Sequence, residues 1–116
     1  MTEEKRIEAL TAHLELTGDE WEEITVSSYD ETLLEYGSQE YLVLTDEEAE
    51  QRLDEHLDNL IEDLVLHQLP ESLQYYFDED AWKRDVSKQD GRGHYLSRYD
   101  GNEHQAAHGL FIYRTN

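Results

Sequence analysis

Apolar residues recur along this chain in two periods, and the periods divide it into elements. Over residues 3–16, Ile7, Leu10 and Leu14, with Ala9, fall at helical spacing and predict a short amphipathic helix. Thr17-Gly18-Asp19 breaks it. Ile24-Thr25-Val26-Ser27 is β-branched and alternating, which predicts a strand. Residues 28–39 carry no clear period, and Gly37-Ser38 reads as a turn or a helix end. Tyr41-Leu42-Val43-Leu44 predicts a short apolar strand running straight into a helix start. There, Thr45-Asp46-Glu47-Glu48 has the spacing of a capping box, with two further acids at the positive end of the helix. Ala49, Leu53, Leu57, Leu60, Ile61 and Leu64 then recur at steps of three and four, and predict a long helix from about residue 46 to about residue 66.

Pro70 stops that helix and suits the first position of a short one over 71–76. Asp78 or Asp80 can cap another short helix through Ala81, Trp82, Arg84 and Val86, with Gly91 and Gly93 as the following break. The C-terminal stretch reads as two strands, 94–99 and 110–114, joined by a polar loop that turns at Asp100-Gly101. No repeat, linker or low-complexity segment interrupts the 116 residues. The expected architecture is a single small α+β domain over 1–116. One long acidic helix and several short ones pack on a small antiparallel sheet that ends in a C-terminal hairpin.

Composition narrows the picture. Apolar residues are only 37% of the chain and charged residues 33%, yet eight Tyr, two Trp and two Phe supply large core side chains. The expectation is a thin core under a charged shell, not a disordered acidic tail. With no cysteine there is no disulfide, thiol catalysis or Cys-ligated metal. Met1-Thr2-Glu3-Glu4 is acidic where a secretory leader is basic, and no apolar run approaches ~20 residues, so the cytoplasm is the expected location.

Charge changes the picture most. The formal net charge is −20, from 29 Asp and Glu against 9 Lys and Arg. It is uneven: residues 1–80 hold 25 acids and 3 Lys/Arg, a net of −22, whereas 81–116 hold 4 acids and 6 Lys/Arg, a net of +2. Such a surface repels nucleic acid and anionic membranes and attracts basic proteins. On the long helix, Glu47, Glu50, Asp54, Asp58 and Glu62 follow one another at steps of three or four opposite the apolar stripe. Successive acids are therefore ~4.5–6 Å apart along the axis, against ~3.4 Å between phosphates of one DNA strand. Glu20, Glu22 and Glu23 around Trp21, with Asp30, Glu31 and Glu35, offer a second row. A solvated helix face is the simpler reading. However, such faces interleave Lys with Glu, and Arg52 is the only base in this helix. Solubility alone asks for a net charge of only about −2 to −8.

Other constellations point to less. Asp78-Glu79-Asp80 lacks the register of a calcium loop, so no specific metal or other cofactor is expected. His104 and His108 have HxxxH spacing, but Gly101 and Gly109 bracket them in a loop, whereas zinc binding at that spacing needs a helix. His56 and His67 do not converge, and Ser97 with His94 and Asp100 lacks a nucleophile elbow. Arg92, Arg98 and Arg114 are expected to pair with the acidic half of the chain. Tyr75, Tyr76, Phe77 and Trp82 read as core, or as a face that a second copy or another partner can cover.

Two tracts resemble proteins of phages and mobile elements. Leu69-Pro70-Glu71-Ser72-Leu73, followed by Tyr76-Phe77-Asp78, Ala81 and Arg84-Asp85, resembles a tract near the C-terminus of ArdA-type antirestriction proteins. Gly91-Arg92-Gly93-His94, Leu96-Ser97-Arg98-Tyr99-Asp100-Gly101 and Ile112-Tyr113-Arg114 are similar to the tail of small acidic phage proteins, as is the stretch from Tyr41 to Ala49. Together these cover under half of the chain. The first resemblance implies an acidic mimic of B-form DNA that occupies the DNA cleft of a restriction enzyme, commonly as a dimer. This chain is shorter than that family and lacks most of its N-terminal part, so neither target nor dimer geometry carries over.

The expected function is therefore an antidefence inhibitor, of anti-restriction or anti-CRISPR type, without catalytic residues. Its partner would be a basic nucleic-acid-binding protein, met by Glu20, Glu22, Glu23, Asp30, Glu31, Glu47, Glu50, Asp54, Asp58 and Glu62. The alternative is a non-enzymatic adaptor that uses the aromatic face, with acidity serving solubility.

Overall fold

The strand predicted at 41–44 is the spine of the molecule. In the computed structural model it spans Gln39–Thr45 (β3) and is paired on both sides. The described residues are all but Tyr75, and the side chains of Val65, Leu66 and His67 are also left undescribed. Tyr75 of the aromatic face and the His67 side chain thus lie outside the described residues.

Five antiparallel strands form one sheet. The strands are β1 (Thr25–Val26), β2 (Leu33–Tyr36), β3, β4 (His104–Gln105) and β5 (Leu110–Arg114), in the order β1-β2-β3-β5-β4. The stretch 28–39, which carries no period, contains β2 and its tight turn into β3, with Gly37 at φ 65. Both edge strands are two residues long, which limits edge-to-edge pairing.

Alternation along the central strands sends side chains to both faces. Leu34, Tyr41, Val43 and Ile112 point to one face and pack with Ala9 and Leu10 of helix α1 (Glu3–His13). Leu44 and Tyr113 point to the other, where Ala49 of α2 (Asp46–Gln68) and Leu96 of α4 (Glu79–Leu96) close over them. Helix α2 starts where the capping box predicts. The Thr45 N–H donates to Glu48 Oε1 at 2.8 Å and the Glu48 N–H donates to Thr45 Oγ1 at 3.1 Å. Its predicted stripe is buried at Ala49, Leu53, Leu57 and Ile61. Pro70 precedes the short α3 (Glu71–Gln74), and Asp78 caps α4 by accepting from the Ala81 N–H at 3.1 Å.

The C-terminal part differs from the sequence reading in two ways. Residues 94–96 close α4 and do not begin a strand; the hairpin is β4–β5, so the partner of 110–114 is 104–105. The predicted break at Gly91 and Gly93 is a kink within α4. Gly91 takes a left-handed φ of 77, which glycine tolerates, and the chain then winds on through Gly93. Gly93 packs on the loop before β4, where an added Cβ would sit 2.6 Å from Glu103 N and 2.7 Å from Gly101 O. A strand pattern of alternating residues is here overridden by that helix-to-loop contact.

Helices α2 and α4 run out together beyond the sheet as a two-helix arm, which makes the molecule long: 61 × 24 × 23 Å. Among the described residues, no helix is long and apolar enough to cross a membrane.

Candidate binding surface

Helix α2 presents its acids along the edge that faces α4, and α4 answers with cations. Lys83 Nζ lies 2.8 Å from Asp54 Oδ1 and 2.5 Å from Asp58 Oδ1. These two hydrogen bonds raise the Lys83 pKa and hold the ammonium charged. Two turns on, across the kink, Arg92 reaches three carboxylates: Asp46 at 2.7 Å, Glu50 at 3.1 Å and Glu103 at 2.7 Å. Its guanidinium also lies 4.7 Å from the centre of the Phe111 ring. Burial disfavours that charge, yet the hydrogen bonds it donates to Asp46 and Glu103 outweigh it and raise the pKa. Tyr113 donates its hydroxyl to the same Glu103, and burial followed by that bond keeps the phenol protonated.

The acids named from sequence therefore divide. Glu50, Asp54 and Asp58 are exposed but ion-paired within the chain. Asp30 is half-buried in the loop before β2, where it accepts from Arg52 at 2.9 Å and from the Thr32 N–H and hydroxyl. Burial opposes its charge, but those bonds win and lower its pKa. Glu47 and Glu62 on α2 and Glu31 before β2 are exposed with no cation partner among the described residues. Glu20, Glu22 and Glu23 are exposed on a 3₁₀ turn that packs against α1. Glu20 there accepts from the Thr17 hydroxyl at 2.8 Å and from the Tyr36 hydroxyl at 3.3 Å. Thus the Glu20–Glu23 patch and the α2 acids sit on opposite faces of the sheet.

Of the three arginines expected to pair with the acidic half, Arg92 does so. Arg114 stacks on Tyr99 at 3.6 Å and donates to the Asn116 carbonyl, and Arg98 has no ion pair among the described residues. Arg6 escapes a reading of the sequence, although it shares the three-and-four spacing of Ala9 and Leu10. It is 2% exposed, donates to the Val43 carbonyl at 2.5 Å and forks onto Glu48 at 2.9 and 2.8 Å. Lys83 also escapes, because its partners lie more than twenty residues away.

The aromatic face is at the far end of the arm. Phe77 and Trp82 approach with ring centres 6.3 Å apart, and Leu73 and Tyr76 are exposed beside them. Between α2, the sheet and the end of α4 lies a cleft of about 390 Å³ with Leu33 and Leu42 as its floor. Arg52, His56, Tyr95 and Arg98 stand in its walls with Asp30, Glu40 and Glu55, so three acids face two arginines. Burial and the nearby Asp90 push the Tyr95 phenol up to about 12.

His94, His104, His108 and Ser97 are engaged structurally. His108 Nε2 sits 2.8 Å from Glu8 of α1, and the His104 ring packs on His13 at 4.9 Å. The Ser97 hydroxyl is buried between Asp100 Oδ1 (2.8 Å) and the Arg114 carbonyl (2.7 Å), while His94 packs edge-on against Tyr95. Among the described residues, no group of three or more His, Asp or Glu converges as a metal site. No protein-family model, curated protein or solved structure matches this chain.

Proposed function

We propose that the chain is a non-enzymatic antidefence inhibitor of a phage or mobile element that acts as an acidic mimic of nucleic acid. It occupies the basic groove of a host defence nuclease, of restriction or CRISPR type, and excludes DNA or guide RNA by competition. The observation that carries this reading is linear charge density. A net charge of −20 along a long axis of 61 Å is one charge per about 3 Å. One DNA strand carries one per ~3.4 Å and the duplex one per ~1.7 Å. The resemblance of residues 69–85 to ArdA-type proteins points the same way. The carboxylates that meet the partner are ones without a cation partner among the described residues: Glu20, Glu22, Glu23, Glu31, Glu47 and Glu62. Glu50, Asp54 and Asp58 keep enough exposure to join them at the rim, with Asp30 anchoring the loop beside them.

The test is capture from a bacterial lysate on the immobilised chain, elution by salt, identification by mass spectrometry, and competition of the captured protein with duplex DNA. Binding should fall by orders of magnitude between about 50 and about 200 mM salt, and Glu22→Lys/Glu47→Lys/Glu62→Lys should abolish it. Affinity that stays flat over that range would refute the mimic. The adaptor reading draws on the exposed Tyr76 and Leu73 at the arm tip; it expects the charge reversals to be silent and Trp82→Ala to release the partner.

A further inference from the structure

The strongest feature outside the α2–α4 edge is a groove on the opposite face of the molecule. It has a volume of about 630 Å³ and lies between α1 and the 3₁₀ turn, lined by Glu3, Glu4, Ile7, Glu8 and Trp21. Its floor is apolar: Ile7 leans on the core beneath, and Trp21 leaves 46% of its surface in water. A thin-core protein that leaves an indole open beside an apolar neighbour forgoes burial that its core would use. The rim is acidic: Glu3 and Glu4 in the first turn of α1 have no cation partner among the described residues, Glu8 one turn on is shared with His108 at 2.8 Å, and Glu22 follows Trp21 in the chain.

We infer that this groove is a docking site for an arginine side chain of the basic partner. The inference rests on the reading that the partner is basic, and it names where one of its cations goes. An apolar side chain would cover the floor but strip water from the rim carboxylates without pairing them. An anion would be repelled. A guanidinium satisfies both parts of the site. Its planar, weakly hydrated face stacks on the indole while its edge donates to carboxylates in a fork. A lysine ammonium pairs with the rim but keeps its hydration and gives up most of the stacking. The cleft under α2 makes no such demand, because Arg52 in its wall already pairs with Asp30 and Arg98 stands beside it.

The experiment uses the whole chain carrying Trp82→Phe, so that Trp21 is the only indole. Acetylated, amidated hexa-arginine is titrated in, Trp21 emission is followed, and hexa-lysine is the comparison. Hexa-arginine should change Trp21 emission in step with binding and should bind at least threefold more tightly than hexa-lysine. Trp21→Ala, read by calorimetry, should weaken hexa-arginine by about 3- to 30-fold, with Trp21→Phe between. Unchanged melting of both variants confirms that they fold. Equal affinity for the two peptides, binding that leaves Trp21 emission unmoved, or no effect of Trp21→Ala would each overturn the groove. The outcomes separate from those for the mimic. A Trp21 response without competition against DNA removes the mimic and keeps the groove. Competition that ignores Trp21→Ala, with no Trp21 response, removes the groove alone.

Discussion

Arg92→Ala probes the contact that ties the acidic helix to the rest of the molecule. The Arg92 side chain is 12% exposed and touches three carboxylates, two from α2 and one from the loop before β4. Its bond to Glu103, the best-shielded of the three, contributes about 1.5–2 kcal/mol as a charge-assisted pair. Asp46 and Glu50 are 69% and 62% exposed, so water screens them, and each adds no more than about 0.5 kcal/mol. The stack on Phe111 adds about 0.5 kcal/mol. The loss should therefore be about 3 kcal/mol. Unfolding entropy near ~2.1 cal/mol/K per residue over 116 residues converts this to a fall in melting temperature of about 12 °C. Without the guanidinium, Asp46, Glu50 and Glu103 repel one another. Raising the salt from about 0.1 to about 1 M should accordingly restore more stability to the variant than to the parent. Thermal melting by circular dichroism at both salts reads this directly. A variant that melts within about 3 °C of the parent at low salt would show that α4 does not hold the acidic edge through Arg92.

Three other perturbations test the same structure. Gly93→Ala places a Cβ against three backbone atoms of 101–103, none able to move as a side chain tip would, and should cost about 3 kcal/mol in denaturant unfolding. Arg6→Met should cost about 3 kcal/mol by stranding Glu48; adding Glu48→Gln, which keeps the capping box, should recover part of that. His13 has its pKa lowered by burial first and by His104 second, so the unfolded chain binds its proton more readily. Stability from the neutral ring is complete above about 6.5 and is lost as pH falls below it. The melting temperature of the parent relative to His13→Gln should therefore drop between about pH 7.5 and pH 5.5, and a constant difference would remove His13 from the account.

What the sequence discloses and what it hides follow from the range of each interaction. The long helix was legible because its evidence is local: the capping box spans four residues and the leucine stripe repeats every turn. The strand was legible at 41–44, as a run of apolar residues, and the structure extends it to Gln39–Thr45. The strand β2 was not, because it offers only two apolar residues in a row, Leu34 packed in the core beneath α1 and Leu33 on the floor of the cleft on the other face. The tail was misread at 94–99, where an alternating pattern lost to the close seat of Gly93 on the loop at 101–103. Among candidate site residues, the acids could be counted but their pairing could not. Asp54 and Lys83 are twenty-nine positions apart, and Asp46 and Arg92 forty-six. A helix that holds one arginine of its own borrows its other cations from α4 and, at Glu48, from α1, and no local spacing announces that.

The arm has a consequence for how the protein behaves on a column. The Cα radius of gyration is 17.0 Å, whereas a compact chain of this length would have about 13 Å, and a globule would need about 220 residues to reach the larger value. A single 13.7 kDa chain should therefore leave a sizing column ahead of a compact protein of its own mass. Elution volume alone would overstate the mass, and it is the mass from light scattering that counts the copies.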